Sequence, residues 1–196
     1  ISDWKTVINK SNTDKATHTA TINFNTDANY NLSIGYTDMA GNVNSKVKTN
    51  NSVAPYKFTV DTTAPTGVIK AVSAEGRTEE WDRLSNSLRY GFWSNKKISI
   101  SATSSDITSP IAKVEYYKDV SKNAKDKTKA LTVKELNKIK TWSNFKDMEV
   151  SSDEQFVVYL KITDKAGNYT YISTNGLIVD KTRPVTESIA PEITIR

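Results

Sequence analysis

No cysteine occurs among the 196 residues, so a disulfide framework, a thiol nucleophile and a thiolate metal site are all excluded. That suits a cytosolic protein, and it equally suits a surface protein built without disulfides. No apolar run approaches the ~18 residues that span a bilayer, and no basic-then-apolar signal segment opens the chain. Histidine occurs once, at His18. Its parity matches Ala20 and Ile22, and no G-x-S-x-G motif accompanies it, so it reads as an edge or partly buried residue rather than a general base. A phosphate-cradling glycine loop, zinc-ligand spacing and the EF-hand pattern are missing too. The carboxylate pairs Glu79 with Glu80 and Asp153 with Glu154 lie in polar, turn-like stretches and read as solvated acids. With no catalytic residue to name, the chain reads as a non-enzyme.

What is present is a repeat. One copy runs Tyr30-Asn-Leu-Ser-Ile-Gly-Tyr-Thr-Asp38-Met-Ala-Gly-Asn42 and closes with Phe58-Thr-Val-Asp61-Thr-Thr-Ala-Pro65. The other runs Phe156-Val-Val-Tyr-Leu-Lys-Ile-Thr-Asp164-Lys-Ala-Gly-Asn168 and closes with Ile178-Val-Asp180-Lys-Thr-Arg-Pro184. Each predicts a strand, a tight turn whose Gly and Asn tolerate positive φ, a second strand and a proline-ended exit. A constant offset of 126 residues relates Ile22 and Phe24 to Met148 and Val150, and Asn42 to Asn168.

Period-two alternation continues elsewhere. Ala20, Ile22 and Phe24 alternate with polar residues, as do Tyr30, Leu32, Ile34 and Tyr36, which predicts an antiparallel hairpin across the polar turn 25–29. Tyr56, Phe58 and Val60 form the strand that follows. Strands are expected at Val68–Val72, around Ile98, Ile100 and Ala102, and around Ala112, Val114 and Tyr116, with a dense apolar set from Trp81 to Trp93. Such close strand spacing predicts an all-β sandwich. One helix interrupts it: Thr132-Val-Lys-Glu135 is a capping box, and Val133, Leu136 and Ile139 offer one apolar face, with Trp142 pinning the end.

Charge is uneven. The net value is +5, and Lys113 to Asp147 holds ten lysines against five acids. A lysine-rich face can meet an anionic polymer such as teichoic acid, acidic glycan or nucleic acid. The plainer reading is a solvated loop and helix surface, and no nucleic-acid partner is expected.

The paired Thr37-Asp-Met-Ala-Gly-Asn42 and Thr163-Asp-Lys-Ala-Gly-Asn168 turns, each with its Asp-x-x-x-Pro exit, resemble the bacterial Ig-like repeats of large surface proteins and adhesins. Trp81 with Leu88-Arg-Tyr-Gly-Phe92, and Ala102 to Tyr117, resemble the longer variety found in multidomain proteins of gut Gram-positive bacteria. Where those repeats place Ser-Gly, this chain has Ser109-Pro110. The resemblance implies tandem immunoglobulin-like β-sandwiches with a short helix inserted in the second. Residues 1–62 are expected to be the C-terminal half of a module, because only 21 residues precede Ile22 and a sandwich takes about 100; that half would expose an edge wanting a partner. Residues 63–183 would be a complete module with a lysine-rich helical insertion, and 184–196 the first strand of a third. The Ile1 start reads as a piece cut from something longer.

The resemblance also implies a location at the bacterial cell surface or cell wall, and non-catalytic work as a stalk or spacer presenting a binding region. An accessory carbohydrate-binding module of a secreted glycosidase is the alternative. The partners expected are neighbouring modules and a host or glycan ligand. In some giant adhesin repeats calcium straightens module junctions, which would implicate Asp38, Asp61, Asp164 and Asp180 as hard oxygen donors. The plainer reading has Asp38 and Asp164 closing Asx turns, with Asp61 and Asp180 bonding linker N–H groups. Trp93, beside Lys96 and Lys97, is the expected exposed exception among aromatics otherwise read as core, and so the candidate sugar-stacking site. Every strand offers Lys and Asn, so isopeptide cross-links are not decided by sequence.

Overall fold

The computed structural model describes residues 5–8, 16–32, 35–44, 48–49, 52–53, 56–121 and 129–185. The chain divides into two units, Ile1–Thr63 and Ala64–Arg196. It is all-β with one short helix, as the alternation predicts.

The first unit holds β1 (Lys5–Ile8), β2 (Ala16–Thr19), β3 (Ala28–Leu32), β4 (Tyr36–Thr37), β5 (Val43–Asn44), β6 (Lys48–Thr49), β7 (Ser52–Val53) and β8 (Tyr56–Val60). Among the described residues they pair as two-stranded antiparallel ribbons: β1 with β2, β3 with β8, β4 with β5 and β6 with β7. The expected hairpin across residues 25–29 does not form, since 20–25 carry no strand and β3 pairs with β8. Phe24 instead sets its ring against Tyr30 at 4.7 Å and Phe58 at 4.9 Å, while Tyr30 stacks on Phe58 at 5.4 Å. The apolar face read in 20–24 is therefore used, through ring packing rather than a ladder. His18 stands opposite Thr6 in β2, and its side chain lies outside the described residues.

The second unit holds β9 (Thr66–Ser73), β10 (Thr78–Trp81), β11 (Tyr90–Ser94), β12 (Ile98–Ser105), β13 (Ile111–Ser121), α1 (Val133–Leu136), β14 (Ser143–Asn144), β15 (Met148–Val150), β16 (Glu154–Asp164), β17 (Tyr169–Ser173) and β18 (Gly176–Val179). One sheet runs β10-β9-β12-β15; the other runs β11-β18-β16-β13-β14, with β17 also on β16. Most neighbours are antiparallel, and β11 lies parallel to β18. Ile69, Ala71, Ile98 and Ile100 of the first sheet meet Phe92, Phe156, Val158, Leu160, Ile162, Ile172 and Leu177 of the second in one core. Two sheets packed over such a core are an immunoglobulin-like sandwich.

The insertion makes a second core. Val157 and Tyr159, on the outward face of β16, are buried under Leu88, Ala130, Leu136 and Tyr171, with Trp142 and Ile139 packed at the margin. This is why Phe156 to Leu160 is continuously apolar where a sandwich strand ordinarily alternates. The capping box of α1 forms: Thr132 Oγ1 accepts the Glu135 N–H, and Glu135 Oε2 accepts the Thr132 N–H at 2.8 Å. The expected apolar face shrinks to Leu136 and Ile139, because the helix is a single turn and Val133 stays 49% exposed. Trp142 stacks on Tyr171 at 5.7 Å.

Residues 186–196, expected to hold the strand of a third module, lie outside the described residues, and 181–185 form no strand. The pairs Glu79–Glu80 and Asp153–Glu154 are not merely solvated. Glu79 pairs with Arg77, Glu80 with Lys70 at 3.3 Å, and Glu154 with Lys118 at 2.9 Å.

Candidate functional site

The repeated Asp-x-Ala-Gly-Asn turn has the same wiring in both units. Asp38 N–H donates to Asn42 O at 3.0 Å, and Asp164 N–H donates to Asn168 O at 3.0 Å. Gly41 and Gly167 sit at φ of 88° and 98°, a region open to glycine and costly for other residues. Asp38 then accepts the Asn42 N–H at 2.8 Å and the Asn42 side-chain amide at 2.7 Å. Asp164 accepts the Gly167 N–H at 2.7 Å, the Asn168 N–H at 2.9 Å and the Asn168 amide at 2.9 Å.

These bonds set the charge state. The Asn42 amide, and after it the Asn42 N–H, hold the Asp38 carboxyl below the usual carboxylate range. Burial works to raise Asp164, and the Asn168 amide with the Gly167 and Asn168 N–H groups outweighs it, so this carboxyl is also held low.

Asp61 accepts the Thr63 N–H at 3.1 Å, and Asp180 accepts the Thr182 N–H at 2.9 Å. Within its own unit Asp164 meets an acid that sequence reading did not single out. Carboxylate oxygens of Asp106 and Asp164 lie within 4.8 Å of each other. Asp106 accepts the Thr108 and Ser109 N–H groups, each at 2.8 Å, so the Ser109-Pro110 turn is closed by a carboxylate. Pro110 O in turn accepts the Lys165 N–H at 2.9 Å, tying this turn to the repeated one. An Asp three residues ahead of Ser-Pro was the available signal.

Calcium takes six to eight oxygens. The described residues of the second unit bring two carboxylates together here, and both already serve their own turns. They do not by themselves compose such a shell.

Trp93 lies on β11, at the edge of its sheet, and is 51% exposed. Lys96 is exposed, whereas Lys97 pairs with Glu149 at 2.7 Å. Ser94 braces the turn between them by donating to Lys97 O at 2.9 Å and accepting the Lys96 N–H at 3.3 Å.

Residues 68–181 match the bacterial Ig-like domain, from the second residue pair of β9 to just past the end of β18. The chain belongs to the bacterial Ig-like domain family. Comparison with curated proteins finds no match. Bacterial Ig-like domains are structural or adhesion-type modules and usually occur in extracellular or surface proteins. Among the described residues no helix is long and apolar enough to cross a membrane. In this bacterial Ig-like domain the repeated acids bond the backbone of turns and exits, and the exposed Trp93 lies on the edge strand next to Ser94, whose carbonyl accepts the Asp180 N–H at 3.0 Å.

Proposed function

We propose that these bacterial Ig-like modules are a stalk or spacer of a bacterial surface or secreted protein, presenting a binding region carried elsewhere. One observation supports this most. In the second unit the chain comes in at one end of the sandwich and leaves at the other. Thr66, first in β9, pairs with Ser105; the next residue, Asp106, lies beside Asp164 at the end of β16. The other end of β16, Glu154, pairs with Val179, last in β18. Eleven residues of β16 at a strand's rise of about 3.3 Å separate the two ends by roughly 33 Å. A module with opposed ends adds that length to a tandem array, and one with adjacent ends would add little.

The accessory sugar-binding reading is favoured by one observation, the half-exposed Trp93 on an edge strand. A glycan array with the wild-type chain and Trp93→Ala separates the two. No specific retention by either protein agrees with a spacer. Retention that Trp93→Ala abolishes would replace that reading with the second.

A further inference from the structure

Asp27 and Asp153 stand 126 residues apart, the offset that relates Asp38 to Asp164. Asp153 immediately precedes β16, which runs into the repeated turn, and Asp27 immediately precedes β3, which stands ahead of β4 and its copy of that turn. Asp27 Oδ1 accepts the Thr62 N–H at 3.0 Å and the Thr62 hydroxyl at 2.8 Å, and Oδ2 accepts the Thr63 hydroxyl at 2.5 Å. Asp153 Oδ1 accepts the Lys181 N–H at 3.0 Å.

The register is the same in both units. The last ladder pair is Ala28 with Val60 in one and Glu154 with Val179 in the other. In each, the acid sits one residue before that pair on one strand and grips the amide two residues after it on the other. A side-chain carboxylate thus continues the ladder beyond its final pair. The residue between, Asp61 or Asp180, holds the next amide along, that of Thr63 or Thr182. Two successive N–H groups of each outgoing segment are therefore bound by two different carboxylates.

We propose that Asp27 and Asp153 are exit clamps, which make the first residues beyond each unit's last strand a fixed part of that unit. Their use in stiffening a joint rests on the spacer reading, and their grip on the amides does not. Free rotation at the outgoing residues would let a tandem array fold back on itself; holding both amides removes that freedom where it begins. Asp27, with three bonds, holds its segment more firmly than Asp153, with one. The hydroxyls of Thr63 and Thr62 and the Thr62 N–H hold the Asp27 carboxyl low, as a bound anion requires.

Amide hydrogen exchange and 15N relaxation on the intact chain test this, with Asp27→Ala, Asp27→Asn and Asp153→Ala. Loss of one such bond speeds exchange about five-fold. The Thr62 amide should quicken by that amount in Asp27→Ala and the Lys181 amide in Asp153→Ala, each leaving the other unchanged. Asp27→Asn keeps a carbonyl acceptor and should retain most of the protection. Unchanged exchange at Thr62 and Lys181 in the alanine variants would overturn the proposal, as would a loss spread evenly through β3 and β8 or β16 and β18. If both amides loosen while the tumbling of the two units stays as in the wild type, the clamps stand and the spacer reading loses its joint.

Discussion

Replacing Thr174 with valine should destabilise the second unit without altering its shape. Thr174 is fully buried between β17 and β18, where the last edge of the sandwich breaks its ladder on β16. Its N–H donates to Val158 O at 3.0 Å, and its hydroxyl oxygen accepts the Val158 N–H at 3.0 Å. Val158 is itself buried, so water has no route to the amide once the hydroxyl is gone. Valine keeps the volume, which removes a cavity contribution, and leaves the desolvation penalty of one orphaned N–H. That costs about 1 to 3 kcal/mol, or a Tm lower by about 3 to 9 °C for a unit of this size. Thermal unfolding followed by tryptophan fluorescence reads it, because Trp81, Trp93 and Trp142 all lie in this unit. Thr174→Ser keeps the acceptor and should cost less than valine. A valine variant as stable as wild type, beside a destabilised serine variant, would refute the reasoning.

Further outcomes follow from the same geometry. Burial pushes the Tyr159 hydroxyl up to about 12, against a bond it accepts from the Leu131 N–H at 3.0 Å. The unfolded chain gives up this proton near pH 10 and the folded one near 12, so the folded state holds more protons between them and stability falls across that window by roughly 2 to 3 kcal/mol. Urea midpoints at pH 9 and 11.5 measure the drop, which Tyr159→Phe should reduce; an equal drop in the variant counts against it. Asp27, Asp38 and Asp164 are all held low, so their contribution is present above the unfolded carboxylate range and is lost as pH falls through their folded values. Carboxyl-detected titration should place all three below exposed acids such as those of short peptides. Gly67→Ala would drive a Cβ into Ile162 Cδ1 and to 2.8 Å from the backbone Thr103 O, an overpacking worth about 1 to 3 kcal/mol that denaturant unfolding would register.

Local chemistry was legible in the sequence and long-range pairing less so. The Asp-x-Ala-Gly-Asn turn, the capping box at Thr132 and the alternation of β9 and β12 depend on residues a few positions apart, and each has a signature in spacing alone. The partner of β3 was misread because alternation says which face a strand buries and not which strand lies beside it. The run Phe156 to Leu160 is legible as a strand, and only the insertion shows what covers Val157 and Tyr159 on its outward face. The clamps escaped notice for a related reason. Asp27 and Asp153 are ordinary acids in polar turns, and only the strand that returns 35 or 28 residues later gives them an amide to hold. Asp106 had a local signal in its spacing to Ser109-Pro110, whereas its proximity to Asp164, on another strand, was hidden in the same way.

The central claim is that each unit hands the chain onward through an exit bound to its own last strands, as the proposed spacer requires. Backbone order of the exit residues in the intact chain, from 15N relaxation, tests it most directly. The account predicts that Thr62, Thr63 and Lys181 are as ordered as the neighbouring strands of their own units. Exit residues markedly more mobile than those strands would contradict it.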